Sequence, residues 1–100
     1  MTVETKGKEI NAYVTESRKS FEKHLKELVD IPSVSADPAH RKDMDRCAEK
    51  AAELLKAFGA TAEILQTGGN PVIIGEFASA KDHPTVMIYN HMDVQPADPS

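Results

Sequence analysis

The sequence predicts an α/β fold of two helices followed by three short strands, with a sheet that is incomplete in this chain. Residues 10–29 and 44–58 place apolar side chains at the spacing of an amphipathic helix. After Gly59 the period changes, and three short segments rich in β-branched and apolar residues follow. Two helices and three strands can cover one face of a small sheet but hardly both, so the sheet is expected to be only part of a larger one.

The first helix is predicted over residues 10–29. Its apolar stripe is interrupted once, by Ser17, and consists of Ile10, Tyr13, Val14, Phe21, Leu25, Leu28 and Val29. Pro32 has no N–H to continue the helical ladder and disfavours helical geometry at Ile31, so the helix should end near Asp30. Residues 1–9 are polar and are predicted to be a flexible N-terminus, which leaves residues 10–100 as the folded part.

The second helix has clearer signals at both ends. Asp37 followed by Pro38 is typical of an N-cap with proline in the first turn, and Gly59 is typical of a C-terminal stop. Its continuous apolar stripe consists of Met44, Cys47, Ala48, Ala51, Leu54, Leu55 and Phe58. We expect this stripe to pack on the strands.

The strands are predicted over residues 61–67, 72–77 and 85–89. The turn-like linkers between them are short enough for antiparallel neighbours, which favours pairing of the first two. Residues 86–89 are apolar without alternation, a pattern that suits a strand covered on both faces. The strand order stays open.

Composition argues against a nucleic-acid-binding, membrane-spanning or disulfide-stabilised protein. The net charge of −4, with 40% hydrophobic and 28% charged residues, is that of an ordinary globular protein, and no basic stripe indicates a nucleic-acid partner. No apolar run is long enough for a membrane span or a signal peptide, and a single cysteine excludes an internal disulfide. We predict a cytoplasmic protein. Because the chain ends in a loop just after the segment with the candidate site residues, we predict that it is a fragment of a longer protein.

The segment YNHMDVQP at residues 89–96 contains the candidate site. His91 and Asp93 are two residues apart, so at a strand end both side chains point to one face, and Met92 points to the other. A metal-binding imidazole usually donates its second N–H to a carboxylate, which Asp93 would supply. Spacing alone, however, more often indicates a surface pair or a loop cap.

The wider string resembles a known family. Residues 89–97 are similar to the motif of the zinc aminopeptidase-like amidohydrolases, in which a short hydrophobic strand runs into His-x-Asp-Val. This family includes carnosinase-type dipeptidases, aminoacylases and succinyl-diaminopimelate desuccinylase, and the dipeptidase branch often continues Gln-Pro-Ala. Residues 28–35 resemble its first-helix exit and residues 48–59 its second helix. The main departure is Asn90, where the branch commonly has glycine.

The resemblance implies a fold, a reaction and a cofactor. The chain would be the N-terminal part of a zinc aminopeptidase-like catalytic domain that hydrolyses an amide bond in dipeptides or N-acyl amino acids. Two Zn²⁺ ions would be bound, with Co²⁺ or Mn²⁺ as possible substitutes. His91 would be a ligand of one ion, and Asp93 would orient His91 or tune the metal-bound water.

The resemblance also implies partners outside this chain. The remaining ligands and the general base are expected beyond Ser100, so the 100 residues alone would be inactive. The expected partners are a small peptide or N-acyl amino acid substrate and the remainder of the catalytic domain, with a possible homodimer through another domain. Nucleic acid and membrane are not expected. The alternative is a non-catalytic fragment or interaction module that docks through an uncovered sheet face.

Five further side chains of metal-binding or reactive types are interpreted as structural. Cys47 lies on the apolar stripe and is predicted to be an inert core thiol. His24 is predicted to be a boundary side chain of the first helix, between Phe21 and Leu25. His40 is predicted in solvent, His83 in an exposed turn and Asp98 in a loop.

Overall fold

The computed structural model describes residues 2–98. In chain order the elements are helix α1 (Val3–Val29), a short 3₁₀ helix (Pro38–His40), helix α2 (Arg41–Ala57), strand β1 (Thr61–Leu65) and strand β2 (Val72–Glu76). Within the described residues, no helix is both long and apolar enough to cross a membrane.

Helix α1 begins earlier than predicted. Thr2 caps it, because its side-chain oxygen accepts a hydrogen bond from the Thr5 N–H at 3.2 Å. Most of the predicted flexible N-terminus, residues 1–9, is therefore helical from Val3 onward; Met1 lies outside the described residues, and the flexibility of the segment stays a prediction. The helix ends at Val29, as the following Pro32 predicted.

Both end signals of the second helix are confirmed. The Asp37 carboxylate accepts from the Ala39 N–H at 2.9 Å and caps the 3₁₀ helix that leads into α2, with Pro38 in its first position. At the other end Gly59 has a φ of 95°, a left-handed geometry that glycine adopts at no steric cost. The chain therefore leaves α2 toward β1 at the predicted place.

The two strands form an antiparallel pair, so the predicted neighbours are confirmed. The register runs from Thr61 opposite Glu76 to Leu65 opposite Val72. Along this ladder the side chains alternate between the two faces, and the more buried positions lie on the face that packs against α2.

The core lies between α2, the sheet and the loop after α1. Its buried side chains are Ile31, Val34, Met44, Cys47, Ala48, Ala52 and Ala60, together with the polar Ser33. Leu55 approaches β2 so closely that a Cβ at Gly75 would lie 2.9 Å from its Cδ1. The predicted packing of α2 on the strands is therefore confirmed for most of the stripe.

One end of the stripe differs from the prediction. Phe58 is 49% exposed and lies against His24 of α1, with the ring centres 5.7 Å apart in an edge-to-face arrangement. Phe58 is the C-cap residue of α2, and its N–H still bonds to the Leu54 carbonyl at 3.1 Å. Because α1 lies beside this end of α2, the Phe58 ring contacts the first helix.

The third predicted strand, at residues 85–89, is not formed. A strand requires a neighbour to satisfy its backbone groups, and in the described part of the chain the sheet has only two strands, which pair with each other. The apolar side chains of residues 86–89 are 80–89% exposed. The elements that would cover both faces of such a strand are not found in the described part of the chain.

The apolar stripe of α1 is also largely uncovered. Its exposed members are Ile10, Tyr13, Val14, Phe21, Leu25 and Val29, at 39–60% exposure. The helix meets α2 near its C-terminal end, where the Lys50 ammonium lies 3.0 Å from the Glu27 carboxylate. These contacts hold the end of α1 beside α2 and leave its first turns in solvent.

Candidate metal centre

The candidate site forms where the loop after α1 meets the segment at residues 91–94. The Val94 N–H donates to the Ser33 carbonyl at 3.0 Å. Next to this backbone bond, the Ser35 hydroxyl donates to Asp93 Oδ2 at 2.6 Å. Two segments that are 58 residues apart in sequence are therefore joined by a pair of hydrogen bonds.

His91 and Asp93 lie on the same side of the chain and are in contact. Their Nδ1 and Oδ1 atoms are 3.0 Å apart. An ionised carboxylate can only accept, so Nδ1 of a neutral His91 carries the proton and Nε2 keeps its lone pair. The His91 side chain is 80% exposed, whereas that of Asp93 is 32% exposed. In this arrangement Asp93 holds the ring through Nδ1, and the second ring nitrogen, Nε2, is left to bind a ligand.

Asp93 is held in its charged form. The hydrogen bond from the Ser35 hydroxyl is the largest of the influences that lower the pKa of its carboxyl below the ordinary aspartate value. Partial burial opposes this shift, and the hydrogen bond with His91 adds to it. The carboxylate therefore remains an acceptor at neutral pH.

A cavity of about 400 Å³ opens beside this pair, in the size range of sites for small molecules. Its wall combines apolar side chains such as Met44 and Ile73 with the amide of Asn70. Both His91 and Asp93 line it. A small ligand in the cavity would therefore lie next to the imidazole.

A complete metal site is not contained in residues 2–98, where no group of three or more His, Cys, Asp or Glu side chains could hold an ion. Zinc in proteins takes about three or four protein ligands. The donor set therefore fits one ligand, His91 through Nε2, with Asp93 as its hydrogen-bond partner. A zinc ion bound by His91 would therefore need further ligands from outside the described residues.

Two of the side chains interpreted as structural pack in the core or between the helices. Cys47 is fully buried, which confirms its predicted position in the core, and the inertness of its thiol stays a prediction. His24 is half-buried on α1, as expected for a boundary side chain, between the Phe58 ring and the Glu27 carboxylate.

The three others lie away from the cavity wall. His40 differs from its prediction, since it is partly buried and its Nδ1 is 2.8 Å from the carboxylate of Asp43 one turn ahead. His83 is in the expected exposed turn, where its Nδ1 lies 2.9 Å from the Ser79 hydroxyl. Asp98 is exposed and has no regular secondary structure, as expected for a loop.

Ser35 is a neighbour of the candidate site that the sequence did not reveal. It lies within residues 28–35, a segment noted for its resemblance to the family's first-helix exit, but no role was assigned to it. Its partner Asp93 is too far along the chain for any periodicity to relate them. The available signal was chemical: a serine hydroxyl in residues 28–35 could donate to Asp93, the carboxylate of the motif.

Comparison with known proteins supports the resemblance. The chain is 31% identical to the Cys-Gly metallodipeptidase dug1 of Schizosaccharomyces pombe over 94 residues, which cover 84% of the chain and 20% of that protein. It is 33% identical to the Beta-Ala-His dipeptidase of Homo sapiens over 99 residues, covering 86% of the chain and 20% of the relative. The chain is therefore similar to these two dipeptidases over most of its own length.

The Beta-Ala-His dipeptidase of Mus musculus, 32% identical over 85% of the chain and 20% of its own length, fits the same relationship. The predicted resemblance to carnosinase-type dipeptidases is thus confirmed. The chain spans about a fifth of the length of the curated relatives it matches. No protein-family model and no solved structure matches it.

Proposed function

We propose that the whole protein hydrolyses an amide bond in dipeptides or N-acyl amino acids with the help of bound metal. The observation that carries this proposal is the His91–Asp93 pair, 3.0 Å apart beside a cavity of about 400 Å³. The relatives support it, because their names describe metallodipeptidases and dipeptidases. The chain would supply the first ligand segment of the site.

In this proposal His91 binds the metal through Nε2. Asp93 accepts the Nδ1 proton, which selects the ligand tautomer, orients the ring and strengthens Nε2 as a donor. Because the Asp93 carboxylate is also bound by Ser35, the ring is supported by a group that is itself fixed. The catalytic role assigned to Asp93 is therefore indirect and acts through His91.

The site would hold two Zn²⁺ ions, with Co²⁺ or Mn²⁺ able to substitute. Bound zinc would lower the pKa of a water and polarise the scissile carbonyl. The remaining ligands and the general base are proposed to lie beyond Ser100, in a zinc aminopeptidase-like catalytic domain of which residues 10–100 are the N-terminal portion. The chain of residues 1–100 by itself would then be inactive.

Substrate and assembly follow from the same proposal. A small peptide or N-acyl amino acid would occupy the cavity next to His91, and the remainder of the catalytic domain would close the site. A homodimer through a domain outside this chain and a cytoplasmic location are further parts of the proposal. The alternative of a non-catalytic module is less favoured, because the relatives are named as enzymes.

The test is hydrolysis by the purified full-length protein of Cys-Gly and β-Ala-His, before and after removal of metal by a chelator. Activity should be lost with the metal and should return with added Zn²⁺. His91→Ala should abolish it, whereas His83→Ala, a histidine in an exposed turn, should not. Full activity of chelated protein or of His91→Ala would contradict the proposal.

A separate experiment tests the proposal that the remaining ligands and the general base lie beyond Ser100. Residues 1–100, purified alone and supplied with excess Zn²⁺, should hydrolyse neither dipeptide. Measurable turnover by this chain would show that the ligands and the base are not required from elsewhere.

A further inference from the structure

We propose that Ser35 is a positioning residue of the metal centre. Its hydroxyl fixes the Asp93 carboxylate so that one oxygen stays directed at His91. The inference deepens the proposed function and rests on it for the role of the metal, but the hydrogen-bond chain Ser35–Asp93–His91 can be tested without metal.

The two oxygens of Asp93 have separate partners. Oδ2 accepts from the Ser35 hydroxyl at 2.6 Å, and Oδ1 lies 3.0 Å from His91 Nδ1. The terminal torsion of an aspartate is broad, so a carboxylate held at one oxygen can rotate. Two partners on opposite oxygens restrict that rotation. Ser35 therefore determines which way the carboxylate faces, and His91 follows it.

Ser35 is suited to this task because its own loop is anchored. Val34, its neighbour, is buried in the core, and the Ser33 N–H donates to the Ile31 carbonyl at 2.7 Å in a tight turn. The Ser33 carbonyl in turn accepts the Val94 N–H at 3.0 Å. The hydroxyl is thus presented from a folded loop to a segment that has no regular secondary structure of its own.

The chemistry restricts what can replace Ser35. Since the charged carboxylate can only accept, the partner has to donate, and the hydrogen bond is of the stronger charge-assisted kind. Threonine keeps the hydroxyl and adds a methyl group, whereas alanine removes the donor. Ser35→Ala and Ser35→Thr therefore separate loss of the hydrogen bond from a change of side-chain size.

The experiment uses the full-length protein in wild-type, Ser35→Ala and Ser35→Thr forms. Ser79→Ala is the matched control, because Ser79 also lies within hydrogen-bond distance of a histidine ring, that of His83, away from the cavity wall. Zinc affinity is measured by competition with a chelating dye. In metal-free protein labelled with ¹⁵N-histidine, the His91 tautomer is measured at about two pH units above the ordinary histidine pKa of about 6.5.

In the wild type we expect His91 to be protonated at Nδ1. Ser35→Ala should give a mixture of the two tautomers and should weaken zinc binding by about tenfold, the lower end of the range for loss of an outer partner of a ligand. Ser35→Thr and Ser79→Ala should match the wild type in both measurements. Unchanged tautomer and affinity in folded Ser35→Ala would overturn the inference.

The two proposals fail differently. A wild type that binds no zinc refutes the proposed metal centre, while a tautomer change in Ser35→Ala would still support the positioning role. If Ser35→Ala does not fold, the wild type and Ser35→Thr decide, because both must hold His91 protonated at Nδ1. A mixture of tautomers in either protein overturns the role of Ser35.

Discussion

The two helices have similar sequence patterns but different surroundings. α2 buries four side chains against the strands and the loop after α1, whereas α1 buries none and exposes most of its apolar stripe. Helical periodicity establishes which face of a helix is apolar, but the presence of a covering partner depends on the rest of the fold. The comparison implies that stability within this chain comes mainly from α2.

The largest expected difference in stability is between truncating a large apolar side chain on α2 and truncating one on α1. Met44→Ala should lower the free energy of unfolding by about 2–5 kcal/mol, because it removes a buried side chain and leaves a cavity. Leu25 is 60% exposed. Leu25→Ala should therefore change the free energy of unfolding by less than about 0.5 kcal/mol. Urea unfolding of the two variants measures both, and equal losses would show that α1 is covered as well as α2.

A smaller effect tests the contact between α2 and the sheet. Gly75→Ala would place a Cβ 2.9 Å from Leu55 Cδ1 and 3.2 Å from the Thr61 carbonyl oxygen. We expect this crowding to cost about 1 kcal/mol of stability. Gly68→Ala is the control, since nothing lies within 4 Å of its added Cβ. The urea midpoints of the two variants measure the difference in stability. If Gly75→Ala were as stable as Gly68→Ala, α2 would not pack against β2 at this point.

The smallest effect concerns the link between the helices. The hydrogen bond from Lys50 is the main cause that lowers the pKa of the Glu27 carboxyl from its ordinary value of 4.5. A lowered folded-state pKa means that the stabilisation is present above pH 4.5 and is lost as the pH falls through the lowered value. Because both side chains of this pair are still partly exposed to solvent, its contribution should be slight.

Thermal unfolding at neutral pH and below pH 4.5 measures that contribution. Glu27→Gln should lose less stability on acidification than the wild type, whereas Glu53→Gln should behave like the wild type, because Glu53 contacts Lys50 from within α2. An acid response of Glu27→Gln identical to that of the wild type would remove this ion pair as a link between the helices.

Local signals explain why much of the fold was predictable. The cap at Asp37, the turn at Gly59 and the pairing of the first two strands each depend on residues close in sequence, and each is confirmed. The start of α1 was missed because the cap by Thr2 extends the helix through polar residues that carry no apolar stripe. The strand predicted at residues 85–89 is not formed in the described part of the chain, because a strand needs a neighbour to pair with.

The candidate site was predictable only in part, for a related reason. His91 and Asp93 are two residues apart, so their contact follows from local geometry. The bond from Ser35 depends on a loop 58 residues earlier that packs against the same segment. Tertiary contacts of this kind leave no periodic trace in a single sequence. The roles of His91 and Asp93 in metal binding remain predictions that rest on chemistry and resemblance.

The measurement that tests the central claim most directly is the zinc stoichiometry and turnover of Asp93→Asn in the full-length protein. Asparagine keeps the size of the side chain but removes the charge that orients His91. We expect folding to be retained while metal affinity or activity falls roughly 10–100-fold. An Asp93→Asn protein with full zinc and full turnover would contradict the account, because Asp93 would then serve only to cap its loop.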